Sequence, residues 1–168
     1  MSEPIRLVPY DPDWPARFES ERALLEGAIG RWAPGGIHHV GSTAVPGLAA
    51  KPVIDITLVV EDTTEEDSYV PALEAAGYVL RIREPDWYEH RLFKGPDTNV
   101  NLHVFSRGCE EIERMTRFRD RLRANEDDRE LYLRTKRELA ARDWKFMQNY
   151  ADAKSAVVQE ILGRALAG

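Results

Sequence analysis

His38–Val60, HHVGSTAVPGLAAKPVIDITLVV, is the stretch that decides the fold. It reads as a short strand, a glycine turn, a small-residue connector and then a buried strand carrying one acid, Asp55. Val53–Val60 is apolar except at Asp55 and Thr57, the pattern of a central strand covered on both faces. Burying a carboxylate costs several kcal/mol unless it is paired or binds a cation. Asp55 is therefore either a site residue or a structural acid held by Lys51, an arginine or backbone N–H groups. Upstream, Gly41-Ser42-Thr43 offers backbone N–H groups and two hydroxyls, and such turns cradle anions. An anion cradle followed by a buried acid points to nucleotide chemistry.

Working outward, Ile5–Pro9 alternates like an edge strand. Asp13 is a candidate N-cap with Pro15 in the first turn of a helix to about Trp32, its apolar face Phe18, Leu24, Leu25, Ala28 and Ile29. Thr63 to Glu66 fits a capping box opening a helix to about Ala76, with Gly77 placed to end it. Tyr78–Arg83, Glu89–Lys94 and Asn99–Phe105 read as strands, the last two joined by a turn at Gly95-Pro96-Asp97. Helices are expected near 110–124, 127–142 and 147–166, with breaks near Asn125 and Asp143. The chain thus reads as one α/β (α+β) domain: a small mixed sheet with flanking helices over about 1–108, then a helical extension over about 109–168 that packs on the sheet.

The 168 residues carry a net charge of −6, which argues against a general nucleic-acid binder. The single cysteine, Cys109, fits a reducing compartment. No leader pattern begins the sequence, and no run approaches the roughly 18 apolar residues of a membrane span. The expectation is a soluble cytoplasmic protein with no membrane association.

The run GSTAVPGLAAKPVIDI resembles the signature of the GrpB family. The likeness extends through VPYDPDWPARF near the start, LHVF at 102–105, FRDRLR at 118–123, Tyr132 with Lys136, and Tyr150 with Lys154. That family resembles the DNA polymerase beta-like nucleotidyltransferases in fold. The resemblance implies a sheet of nucleotidyltransferase type, a nucleoside triphosphate held with Mg²⁺, and transfer of a nucleotidyl group to a small molecule or protein. In such enzymes a Gly-Ser turn grips the triphosphate, and two acids at i and i+2 of the next strand hold the metal. Here the second acid is replaced by Thr57.

On this reading Gly41, Ser42, Thr43 and Lys51 contact phosphate, and Asp55 holds metal. Asn101 and His103, which share a strand face, take the place of a third acid as metal ligands. His103 also serves as a base near pH 7. Arg91 is a candidate phosphate contact through its forked guanidinium, on a face shared with Glu89. His39 supports the turn. Trp87 and Tyr88 stack on a base or cap the core. Arg119 and Arg123 form either a local basic face or part of a solvated helix. Tyr132 with Lys136, and Tyr150 with Lys154, pack the tail or reach toward the cleft. The expected partner is a nucleotide or other phosphorylated small molecule. The alternative is a non-catalytic ligand-binding or accessory module that keeps the fold. A hydrolase using His103 as base is a third possibility.

Overall fold

In the computed structural model, residues 6–96, 99–141 and 147–167 are described. The expected strand start at Ile5, the turn residue Asp97, the break at Asp143 and the Tyr150 side chain lie outside that description. Five strands form one mixed sheet in the order β1-β2-β5-β4-β3: β1 (Gly36–Val40), β2 (Ile54–Val60), β3 (Val79–Glu84), β4 (His90–Lys94) and β5 (Val100–Ser106). β2 and β5 are parallel, and the other pairs are antiparallel. The helices are α1 (Trp14–Ile29), α2 (Val70–Ala75), α3 (Glu110–Ala124), α4 (Glu126–Ala141) and α5 (Met147–Ala167).

Strand alternation gives the sheet two unlike faces. One carries Ile54, Ile56, Leu58, Val60, Leu102, Val104 and Phe93, all buried. It packs on Trp14, Phe18, Leu25 and Ile29 of α1 and Leu73 of α2. Spacings of four and seven residues put those α1 side chains on one stripe, whereas the expected stripe member Leu24 is 41% exposed. The opposite face carries Asp55 in register with Asn101 and Thr57 in register with His103.

A second apolar cluster joins Val45 and Leu48 of the connector to Leu122 of α3, Tyr132 of α4 and Ile161 of α5. The tail therefore docks on the connector and the β1 edge rather than across the sheet. Two α3 arginines fix it there: Arg119 donates to His39 O at 3.1 Å, and Arg123 donates to Ala44 O at 2.8 Å. They brace the turn from both sides, Arg119 with its side chain largely covered and Arg123 with its own still 42% exposed.

Other local expectations are corrected. Residues 6–9 form one antiparallel bridge, Val8 to Ala50, and no strand among the described residues; Pro9 has no N–H to extend it. α1 stops at Ile29 and continues as a 3₁₀ turn over Gly30–Trp32. Asp13 makes no side-chain cap; Asp11 does the work, its Oδ1 accepting from Asp13 N at 2.8 Å. The Thr63 capping box does not form. The Thr63 hydroxyl donates to Glu89 O at 2.7 Å, so only a 3₁₀ turn over Glu66–Ser68 precedes the short α2. No helix among the described residues is long and apolar enough to cross a membrane.

Candidate functional site

The glycine turn follows β1 directly. Gly41 has φ 77°, a conformation open to glycine at little cost. A Cβ there would lie 2.9 Å from Asp55 Oδ2 and 3.3 Å from Asp55 Cβ. Gly41 thus leaves room for the acid. Ser42 opens a single 3₁₀ turn, Ser42–Ala44, and lies on the cleft wall. Thr43 is buried, and its hydroxyl donates to Val53 O at 3.1 Å. Its one proton being engaged there, it accepts from His39 Nε2 at 3.0 Å. Thr43 lines the cleft but its hydroxyl ties β1 to the start of β2. Burial, and then the positive charge of Arg123, push His39 down to about 4, so it is neutral at pH 7 and positions the turn.

A cleft of about 260 Å³ opens beside this turn, lined by Lys51, Asp55, Asn101, Lys136 and Lys154 as well as Ser42 and Thr43. Asp55 Oδ1 lies 3.3 Å from Asn101 Nδ2 and 3.3 Å from His103 Nε2. Lys94 donates to Asn101 Oδ1, which fixes the amide with its NH₂ toward Asp55. The other side of His103 is also engaged: its Nδ1 lies 3.0 Å from His90 Nε2, and His90 Nδ1 lies 2.9 Å from Glu84 Oε1.

The lysines of the tail are the residues that sequence reasoning did not assign. Lys136, 94 positions from Ser42, donates to its Oγ at 2.8 Å, is 4% exposed and stands 5.1 Å from the Tyr132 ring centroid. Burial, reinforced by the charges of Lys154 and Lys51, pushes it down to about 7, while Asp55 pulls it up. Burial also lowers Lys154, against an upward pull from Asp55. Lys51 is lowered by burial and then by Lys154. Three lysines from two distant parts of the chain therefore crowd one carboxylate; burial holds all three below their ordinary range, and neighbouring ammonium charge lowers Lys136 and Lys51 further. The signal in the sequence was the Tyr-x-x-x-Lys spacing in each helix, which puts ring and ammonium on one face without saying what that face meets.

Arg91 is not part of this site. It sits on the other face of the sheet, buried, with its Nε 2.9 Å from Glu66 and its Nη1 3.2 Å from Glu89. Arg83 joins the same cluster at 2.7 Å from Glu66. Its two hydrogen bonds, with the one from Arg91, hold the Glu66 carboxyl down at about 2. Thr57 is fully buried beneath the site face, and its hydroxyl has no hydrogen-bond partner among the described residues. Trp87 packs edge-on against His90 and Phe105 and stays 41% exposed.

The residues were also expected to hold Mg²⁺. Among the described residues no group of three or more His, Cys, Asp and Glu is placed to bind a metal ion. Asp55 is the one carboxylate among the described residues lining the cleft, and three lysines line it with Asp55. Hard cations take oxygen donors and repel ammonium groups, so this donor set fits an anion and does not fit a protein-held divalent cation.

The family model for GrpB protein matches residues 4–164. This chain belongs to the GrpB family. It is 60% identical to a UPF0157 protein of Halalkalibacterium halodurans, over 96% of this chain and 82% of that relative. The crystal structure of conserved protein GrpB from Enterococcus faecalis matches at a TM-score of 0.83 and 30% identity, over 96% of this chain and 98% of the other. A dephospho-CoA kinase of Mycolicibacterium paratuberculosis is 33% identical over 96% of this chain, which spans 46% of the kinase. The GrpB-type chain is thus similar to one portion of a longer protein in that case.

Proposed function

We propose that the cleft of this GrpB-family protein binds the phosphate groups of a nucleoside triphosphate or a related phosphorylated small molecule, and supports transfer of a nucleotidyl group to a small molecule or protein. The observation that carries this reading is the convergence of Lys51, Lys136 and Lys154 with Ser42 on one small cleft. Ammonium groups held below their ordinary range, the buried Lys136 above all, gain most from a multivalent anion, which restores their protons. Gly41 lets the backbone approach a phosphate, and the Ser42 Oγ accepts from Lys136, which holds hydroxyl and ammonium together on the cleft. The lysines supply the positive charge that a cation was expected to supply; Mg²⁺ enters with the nucleotide, if at all. In the transfer, the acceptor oxygen bonds to the α-phosphorus and the bond to pyrophosphate breaks. The acceptor's proton passes to the Asp55–His103 pair.

The second reading is a non-catalytic accessory module, favoured by Thr57 at the position of the second acid and by the likeness to a portion of a dephospho-CoA kinase. Calorimetric titration with ATP, GTP, CTP and UTP, with and without Mg²⁺, separates the outcomes. Binding lost in Ser42→Ala, together with product formation lost in Asp55→Ala, is expected for the transferase. Binding without product in any combination of nucleotide and acceptor favours the accessory module. Absence of binding by every nucleotide would remove the nucleotide reading.

A further inference from the structure

Glu84, His90, His103 and Asp55 form one continuous line across three neighbouring strands and β2. The contacts are 2.9 Å from Glu84 Oε1 to His90 Nδ1, 3.0 Å from His90 Nε2 to His103 Nδ1, and 3.3 Å from His103 Nε2 to Asp55 Oδ1. The two imidazole planes are 27° apart, so their nitrogens meet edge to edge. Glu84 is 44% exposed at its side chain, whereas that of His90 is 4% exposed. The line therefore runs from water, through a buried ring, to Asp55 on the cleft wall.

Counting protons along it assigns the tautomers. Two neutral imidazoles carry two ring protons, but the line has three contacts. One contact must lack a proton, and two lone pairs facing each other repel. The 2.9 and 3.0 Å contacts are too close for that, whereas the 3.3 Å contact at Asp55 is the longest. Glu84 thus accepts from His90 Nδ1–H, and His90 Nε2 accepts from His103 Nδ1–H. His103 Nε2 is left with its lone pair toward Asp55, which lines the cleft. Burial lowers the His90 imidazole below its ordinary range, while its hydrogen bond to Glu84 pulls it up. The groups that bear on the two rings are Glu84 from β3, Asp55 from β2 and Arg91 from β4; Trp87 and Phe105 enclose His90 without charge.

We infer that Glu84 and His90 are positioning residues that fix His103 with an unprotonated Nε2 beside Asp55, behind the cleft wall, making it the group that accepts a proton by way of that wall and linking it to solvent through a two-imidazole relay. This rests on the reading of the cleft as a transfer site. A proton leaving an acceptor beside Asp55 bonds to His103 Nε2. The Nδ1 proton of His103 moves to His90 Nε2, and the Nδ1 proton of His90 moves to Glu84 and then to water. Both rings are then neutral with the opposite tautomers, ready to return one proton to the cleft. The logic is that of a base oriented by a third group, with one more ring in the line.

The test is nitrogen-15 NMR of histidine rings in the full chain, which has only 4 histidines to assign. In the native protein near pH 7, His103 should show a pyridine-type Nε2 and a pyrrole-type Nδ1. Glu84→Lys replaces the acceptor with a donor, so His90 Nδ1 must accept. Both tautomers should then exchange, and His103, which residue 84 does not touch, should show a pyrrole-type Nε2. A pyrrole-type Nε2 in the native protein, or an unchanged His103 in Glu84→Lys, overturns the inference. Should Glu84→Lys fail to fold, Glu84→Ala is read instead, and a single unchanged His103 tautomer overturns it equally. Titration of the same samples with pyrophosphate tells the two readings apart. Native protein that fails to bind removes the transfer site whatever the tautomers, while binding with the wrong tautomer removes only the relay.

Discussion

The two faces of the sheet carry two charge clusters of opposite kind. Behind the sheet, Arg83 and Arg91 meet Glu66 and Glu89, two cations against two anions, and hydrogen bonding holds Glu66 down at about 2. In front, three lysines line a cleft with one carboxylate among the described residues, and Lys136 is pushed down to about 7. The first cluster gains by being folded as it stands. The second is strained by mutual repulsion and burial, and a bound anion relieves the strain. Groups whose ionisation is disfavoured in the folded state, sitting in a cleft, mark function more often than stability.

The largest effect should come from breaking the self-satisfied cluster. Arg91→Ala leaves Glu66 and Glu89 without their buried partner and should destabilise the fold by about 3 kcal/mol, read as a lower urea midpoint, with pyrophosphate binding unchanged. Glu66 sharpens this with pH. Its folded value lies below the usual 4.5, so its contribution is complete above 4.5 and disappears as the pH falls through about 2.

Lys136→Met attacks the other cluster. It should weaken pyrophosphate binding about tenfold or more, the effect of removing one charged donor. It should also raise stability at neutral pH. A lysine with a lowered folded value binds fewer protons folded than unfolded between about 7 and 10.5, so native stability climbs with pH across that window. The variant should lose the part of that climb that belongs to Lys136, which parallel denaturation curves at pH 7 and pH 10 would reveal. Equal slopes in both proteins would place the titration elsewhere.

Smaller effects test the frame around the acid. Gly41→Ala forces a side chain into a left-handed backbone and against Asp55, and should cost about 1–2 kcal/mol of stability while also weakening anion binding. Thr57→Val removes a buried hydroxyl that has no hydrogen-bond partner among the described residues. It should stabilise by about 1 kcal/mol in chemical denaturation and leave binding untouched. Destabilisation by that change would mean that the hydroxyl has a role in the folded protein.

The parts of the fold legible in the sequence are those set by short-range pattern. Continuous apolar residues marked β2, alternation marked the polar face of β5, and the Gly-Pro turn marked the β4–β5 hairpin. The Thr63 capping box failed because a hydroxyl able to cap a helix was taken instead by Glu89 O, 26 residues away. Arg91 was read toward the cleft because the order and register of the strands, and so the face it shares with Asp55 or not, is invisible before pairing. The Gly41-Ser42 turn and Asp55 were legible because they lie on one continuous stretch. Lys136 and Lys154 were not, since only the docking of the tail on Val45 and Leu48 brings them to Ser42. The line from Glu84 to Asp55 is likewise a product of strand order, with one member on each of four strands.

The most direct test of the central claim is calorimetric titration of the native protein with pyrophosphate at pH 8 in two buffers of different ionisation enthalpy. An anion beside Lys136 raises its affinity for a proton from about 7, so binding should draw protons from the buffer and weaken as the pH rises further. The account predicts saturable binding with net proton uptake, lost in Lys136→Met. Binding without proton uptake, or no binding, would contradict it.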